Sequence, residues 1–405
     1  KLFKHKKLRS LFNMLDDNVT LFLNRPRNIL FYLGIWLRPA THVTLYVIYA
    51  IIVMLSQYSF VLFEFIYIAQ AWGDMDAVTE ASFLLFTQAS VCFKVTRFLT
   101  NKKNLVFLLN LMEEEGFQPQ NKKHETCLLD QSSTVKRLCL FFLCSALTTC
   151  TLWGLMPIVD STEGERIFPF LIWMPVGPNE SPQYELGYFY QMVAIYISAF
   201  LFIAVDSVAL SMIMFGCAQL EIIMDKIQPV PMSGRLKKEE RDQRIEDNYA
   251  LFVRCLKHHQ AVIGFIEKAE DTYHSNIFFQ LSGSVAIICI IGLRITATTP
   301  GSVQFISMLN YMVTMLSQLF LYCWCGNELT IRSEILREVM YLSPWHEQSN
   351  SFRRLLWVAM ERMKRPIIFK AGHYIPLSRP TFVAVILRSS YSYFAVINQT
   401  QNKEK

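Results

Sequence analysis

Near the C-terminal end of the chain, Tyr393, Val396 and Thr400 recur at spacings of three and four, with Gln399 adjacent. On a helix this spacing stacks a phenol, a small branched group and a hydroxyl along one face. Such a face holds no fixed charge, so it can line a narrow wet path for ions, and a ring of apolar groups closes such a path by dewetting. The alternative use of the same face is packing on a neighbouring helix. Asp206, in the middle of an apolar run, is a second chemically active candidate. An ionised group there costs about 2.5–3.5 kcal/mol on insertion scales and therefore faces protein or water. A hydrogen bond tying two helices is preferred to ion conduction as its role.

A third set has the character of a small-molecule wall. Phe83, Phe86 and Thr87 form one cluster, and Ser145, Thr148, Thr149, Leu152 and Trp153 a second. Tyr188, Gln191, Met192, Ile195 and Tyr196 form a third, and Met308 with Tyr311 a fourth. Aromatics mixed with hydroxyls and amides enclose an apolar ligand by shape and dispersion, and one or two hydrogen bonds orient it. Each of these side chains could instead pack or face lipid, and roughly half are expected to reach a common space, because helical phase alone does not assign faces. Catalytic patterns are missing: no glycine-rich phosphate loop, HExxH or nucleophile elbow occurs. Cys323-x-Cys325 lacks a second ligand pair and reads as buried packing, while the consecutive His258 and His259 point to different sides of a helix. The chain reads as neither an enzyme nor a cofactor carrier.

The elements that must position these residues are membrane helices. Of the 405 residues, 52% are hydrophobic and only 18% charged, with positive mean hydropathy, more apolar than a soluble domain of this length requires. A crossing takes about 17 to 25 mainly apolar residues. Strong runs lie at 43–71, 138–159, 186–220, 277–293 and 303–324, with weaker ones at 77–93, entered past Glu80, and 381–397, interrupted by Arg388. Seven crossings are expected, with Arg388 as an interfacial anchor.

Basic residues outside the runs set the orientation. They gather before the first run (Lys1, Lys4, Lys6, Lys7, Arg9, Arg25, Arg27, Arg38), after the second (Lys94, Arg97, Lys102, Lys103, Lys122, Lys123, Lys136, Arg137) and after the fourth (Arg235, Lys237, Lys238, Arg241, Arg244). The intervening connections hold only Arg166. The N-terminus is expected inside the cell and the C-terminus outside, inverted relative to G-protein-coupled receptors. The net charge of +6 then belongs to loops at an anionic leaflet and not to nucleic-acid binding. No cleavable signal peptide is expected, and the cysteines fall in spans or cytoplasmic stretches, which disfavours an extracellular disulfide framework. Asn179-Glu180-Ser181 is a glycosylation sequon in the expected outer loop. On the cytoplasmic side, residues 214–226 and 246–274 show apolar positions at helical spacing among charges and are expected to project as helices beyond the bilayer, broken at 229–234. Residues 328–341 and 352–363 read as further amphipathic helices of a packed assembly domain.

The C-terminal third carries a recognisable pattern: Tyr322-Cys323-Trp324-Cys325-Gly326-Asn327-Glu328-Leu329, then Tyr341, Trp345, Phe352-Arg353-Arg354 and Met360. Pro366, Gly372, Leu377-Ser378, Thr381-Phe382 and Ser390-Tyr391-Ser392-Tyr393-Phe394-Ala395 follow. This stretch resembles the insect odorant receptors; before residue 322 only the topology agrees.

The resemblance implies an all-α membrane protein with seven transmembrane helices and a cytoplasmic assembly domain. Its parts would be a cytoplasmic N-terminal segment (1–42), helices one to four forming a ligand bundle (43–220) and a cytoplasmic extension and loop (221–276). Helices five and six (277–324), cytoplasmic anchor helices (325–380) and a pore-lining seventh helix (381–400) complete it. It further implies a ligand-gated, non-selective cation channel in the plasma membrane of sensory dendrites, with a divergent odour-binding subunit joined to a common co-receptor in a heterotetramer. The short connection between runs four and five resembles the divergent subunit, since the co-receptor has a long insertion there. By the same resemblance Val396 is the gate, with Gln399 and Thr400 at the outer mouth. A small volatile and the bilayer are the expected partners; a homomeric gustatory-type channel and a transporter using Asp206 are the alternatives.

Overall fold

The computed structural model describes residues 18–37, 43–160, 167–175, 181–228, 238–388, 391 and 395. Helices follow one another in the order α1 (Asn18–Tyr32), α2 (Val43–Gln70), α3 (Met75–Thr100), α4 (Lys102–Met112), α5 (Lys122–Asp160), α6 (Gln183–Ile227), α7 (Lys238–Ala297), α8 (Val303–Leu342) and α9 (Asn350–Met363). A small antiparallel hairpin, β1 (Lys370–Ala371) with β2 (Ile375–Pro376), leads into α10 (Arg379–Thr381) and a π-helical segment, Phe382–Leu387. Among the described residues, α2, α5, α6, α7 and α8 are long and apolar enough to cross a bilayer. The more polar α3 falls outside that set, and the last expected crossing extends beyond the described residues.

Burial shows what surrounds each helix. Every residue of α6 from Leu201 to Leu220 is buried, so this helix is the axis on which α1, α5, α7 and α8 pack. The opposite case is α2, whose buried residues are Val53, Gln57, Phe60 and Glu64, one stripe at helical spacing. Its other faces expose Leu45, Ile51, Ile52, Leu55, Leu62 and Phe65. A helix with its glutamine and glutamate inward and its leucines outward is built for a hydrocarbon solvent. Neither carboxylate oxygen of Glu64 has a hydrogen-bond partner among the described residues.

The helices also run farther than the apolar runs suggest. α7 spans 60 residues and α8 spans 40; at 1.5 Å per residue α8 is about 60 Å long, twice the hydrocarbon thickness. Both pass unbroken through positions 276 and 324, and α6 through 220, because the charged stretches there hold no proline and keep their apolar spacing. The basic N-terminal stretch likewise contains a helix: α1 tolerates Pro26 and inserts Phe22 and Leu23 against the bundle, and Asn18 Nδ2 donates to Met112 O at 3.0 Å.

At the end of the bundle holding most basic residues, α9 turns Phe352, Leu356, Ala359 and Met363 inward, and the Phe352 ring meets Phe252 of α7 at 4.5 Å. Its start is capped by Ser349, whose Oγ accepts from Phe352 N at 3.2 Å. The hairpin then seats Leu377 on Gly326 of α8. A β-carbon at Gly326 would lie 2.4 Å from Leu377 Cβ and 2.6 Å from its carbonyl oxygen. Beside this contact Arg379 pairs with Glu328 at 2.8 Å, and Glu328 also faces Arg332 at 3.8 Å. The Cys325-Gly326-Asn327-Glu328 motif is therefore the seat on which the last helix begins, with Cys323 and Cys325 buried beneath it.

A candidate ligand cavity and the polar network beneath it

Four helices enclose a cavity, each through one face at spacings of three and four. α3 supplies Leu84, Thr87, Gln88 and Val91, and α5 supplies Phe142, Ala146, Thr149, Cys150 and Trp153. α6 contributes Ile195, Ser198, Ala199 and Phe202, and α8 contributes Tyr311, Thr314 and Met315. The space open to the centres of water-sized spheres is about 60 Å³, several times the ~10–15 Å³ that one water needs. Its almost wholly apolar lining suits a compact apolar molecule and offers few partners to a sugar or a nucleotide.

Aromatic rings close its outer end. Trp153 and Tyr311 meet at 5.0 Å and Phe83 backs both, at 6.0 and 5.8 Å. Phe170, from the connection between α5 and α6, stands edge-on to Trp153 at 5.5 Å, and Gln191 Oε1 fixes that connection by accepting from Phe170 N at 3.0 Å. Hydroxyls in the wall are already engaged: Thr87 bonds Tyr311 and the Phe83 carbonyl, and Thr149 accepts from Asn310 Nδ2 at 2.8 Å.

Of the residues expected from sequence, Thr87, Thr149, Trp153, Ile195 and Tyr311 line the cavity. Phe83, Ser145 and Gln191 act one layer behind, Ser145 by bonding Thr314, and Met308 is buried outside the wall. Phe86 and Thr148 are exposed on the outer faces of their helices. Tyr188, Met192 and Tyr196 occupy an α5–α6 seam: Tyr188 bonds Gly154 O, Met192 abuts Gly154 and Tyr196 bonds Thr151 at 3.0 Å. Leu152 lies outside the wall as well. Several further wall residues sit deeper than the sequence reading placed the site. Moving inward by one to seven residues from Thr87, Thr149, Ile195 and Tyr311 reaches Gln88 and Val91, Ala146 and Phe142, Ser198 and Phe202, and Thr314. The polar Gln88, beside Thr87, and Ser198, alone in an apolar run, are the available signal. Tyr393, Val396, Gln399, Thr400 and Asn179 lie outside the described residues.

Directly below the cavity a charged pair is sealed in the bundle. Lys94 Nζ stands 2.8 and 2.9 Å from the two carboxylate oxygens of Asp206, and both side chains are almost wholly buried. Counting Lys94 among loop charges was wrong: α3 continues to Thr100 and carries it into the core, where an ion is stable only when paired and hydrogen-bonded. Gln318 Nε2 also donates to Asp206, and Gln280 Nε2 donates to Gln318 Oε1 at 2.7 Å. Ser90 Oγ completes the line by donating to Gln280 Oε1 at 2.9 Å. Four helices are thus joined by one polar chain. Lys94 lies 3.7 Å from the centre of the Phe202 ring, so one aromatic forms the cavity wall and covers the ion pair.

Comparison with known proteins gives this arrangement its relatives. A family model described as 7tm Odorant receptor matches residues 74–391. Odorant receptor Or1 of Anopheles gambiae is 23% identical over 349 residues, covering 82% of this chain and 83% of that protein. Odorant receptor 94a of Drosophila melanogaster is 27% identical over 246 residues, 59% of this chain and 60% of its own. Among solved structures, the insect olfactory receptor OR5 from Machilis hrabei in complex with eugenol superposes with a TM-score of 0.77 at 16% identity, covering 95% of this chain and 100% of that one. The helical architecture is theirs, and with the family model spanning most of the sequence, the chain belongs to the insect odorant receptor family, a family of receptors and not of enzymes.

Proposed function

We propose that this chain is the odour-tuning subunit of a ligand-gated, non-selective cation channel of the plasma membrane, assembled with the common olfactory co-receptor. The observation that carries the reading is the cavity: a small, aromatic-capped space inside the helical bundle, with a few polar groups in an apolar wall. This is the form of a site for a compact volatile. The Machilis hrabei receptor of the same fold was solved in complex with eugenol, a small oxygenated aromatic. Seven crossings, a cytoplasmic N-terminus, a seventh helix lining the pore with Val396 as its gate, and a glycan on Asn179 belong to this proposal. A ligand opens the channel by binding the open state more tightly than the closed one. A transporter path through Asp206 is disfavoured by the bonds that already occupy both its oxygens.

Whole-cell recording from cells expressing the chain with and without the co-receptor, challenged with esters, alcohols, terpenes and aromatics, is the direct test. Fast cation current only in the co-expressing cells is expected. Current from this chain alone would replace the reading with a homomeric receptor.

A further inference from the structure

A groove separate from the ligand cavity lies between α1, α5 and α6, floored by Ile203, Ser207 and Ser211 of α6. Two bonds set its register. Ser132 Oγ of α5 donates to Leu21 O of α1 at 2.6 Å, and four residues further along both helices Arg25 donates from a guanidinium nitrogen to Lys136 O at 3.3 Å. Another four residues on, Ile29 and Leu140 face the groove, with Leu143 beyond them. Two adjacent cations therefore hold one end and aliphatic side chains the other, over about 10 Å of helix. Lys136 stands just before the apolar run that begins at 138, which sets the cations at headgroup depth and Leu140 and Leu143 at acyl-chain depth. Leu140 is 46% exposed, so the groove opens sideways, where a lipid chain lies.

Nothing in the groove answers the charge. No carboxylate lines it, and among the described residues the bond to Arg25 in this groove comes from a backbone carbonyl and not from an acid. Asp206, on the helix that floors the groove, is held by Lys94 and Gln318. The Ser207 and Ser211 hydroxyls donate to Ile203 O and Phe22 O, at 2.7 and 3.2 Å. Two like charges side by side repel, and an anion between them turns that repulsion into attraction.

We propose that this groove binds an anionic phospholipid of the cytoplasmic leaflet, its phosphate between Arg25 and Lys136 and one acyl chain along Ile29, Leu140 and Leu143. The leaflet rests on the cytoplasmic N-terminus proposed above; the odour-tuning role is not needed. A guanidinium and an ammonium together give phosphate charge-assisted donors, and a headgroup of net negative charge is favoured over a zwitterion carrying the same phosphate.

For the test, the purified full-length chain in neutral detergent micelles is titrated with dioleoylphosphatidylglycerol or dioleoylphosphatidylcholine, and retained lipid is counted by native mass spectrometry. The parent is expected to hold phosphatidylglycerol about tenfold more tightly than phosphatidylcholine. In the double variant Arg25→Gln, Lys136→Gln the ratio falls to about one, with phosphatidylcholine held as by the parent, which also reports an intact groove. Arg241→Gln, Lys257→Gln removes the same charge from exposed positions of α7 and should keep the parent's ratio. Equal affinity of the parent for the two lipids, or an equal loss in both double variants, overturns the site. So does displacement of phosphatidylglycerol by an equal concentration of glycerol 3-phosphate, which would leave an anion site with no use for the acyl groove. Binding is read without co-receptor or odorant, so its failure and the failure of the channel reading stay distinct.

Discussion

At the scale of single residues, the Lys94–Asp206 pair dominates the interior. Two charges in a low-dielectric core gain little over a well-packed apolar pair, yet removing one strands the other. Lys94→Met is expected to destabilise the folded chain by about 3–5 kcal/mol, and pairing it with Asp206→Leu to recover most of that loss. Chemical denaturation of the purified variants separates the cases; a double variant no better than the single one would mean that Gln280 and Gln318 depend on the charges. Asp206 was legible in the sequence as a group needing a partner. Lys94 was not, because counting apolar residues ends the crossing at Phe93, whereas helix propensity continues it. The cavity was legible by type and only partly by depth: Trp153 and Tyr311 stand out as aromatics beside hydroxyls, while Ala146 and Val91 carry no mark that distinguishes them from packing.

At the scale of elements, crossings announce themselves through their length, and the helical extensions of 214–226 and 246–274 through their apolar spacing, whereas the exact ends of each rod do not. Nothing in the charged residues of 246–274 or 328–341 ends a helix, so each became part of a longer rod, and α1 was hidden by Pro26 and its arginines. The one joint near the last helix is the hairpin seated on Gly326. Gly326→Ala drives a methyl into the backbone oxygen of Leu377, which has no rotamer with which to yield, and is expected to cost about 1–3 kcal/mol. It should also reduce ligand-evoked current at equal surface level. Gly264→Ala is the internal control, since a β-carbon there meets nothing within 4 Å. It should stabilise by about 0.5–1 kcal/mol through helix propensity. Thermal unfolding and recording of both variants check the contrast, and equal effects would remove the seat from the account.

For the whole molecule, stability is linked to pH through α7. His258 donates from Nε2 to Gln219 Oε1 at 3.0 Å, and Gln219 donates on to Phe117 O at 3.0 Å. Burial, with Lys226, His124 and His259 nearby, pushes the His258 imidazole down to about 3, and burial beside Arg362 pushes His259 to about 4. Both are neutral when folded and bind protons more readily when unfolded. Their contribution is complete above about 6.5, the unfolded value. It is lost as pH falls from there toward 3–4, by at most about 1.4 kcal/mol per pH unit for each ring. Unfolding free energies at pH 7.5, 6.5 and 5.5 should decline, and more shallowly in a His258→Gln, His259→Gln variant; equal slopes would locate the titration elsewhere.

The inward polar stripe of α2 has a consequence for biosynthesis. Made well before α6, it would meet lipid with Gln57 and Glu64 uncovered, at a cost on the order of a few kcal/mol. Only the later arrival of α6, whose Ala194 carbonyl receives Gln57, relieves that exposure. The order of translation thus sets an interval, more than a hundred residues long by sequence number, in which this segment needs a temporary neighbour such as the insertion machinery. Truncated chains ending before α6 are expected to be retained there and degraded.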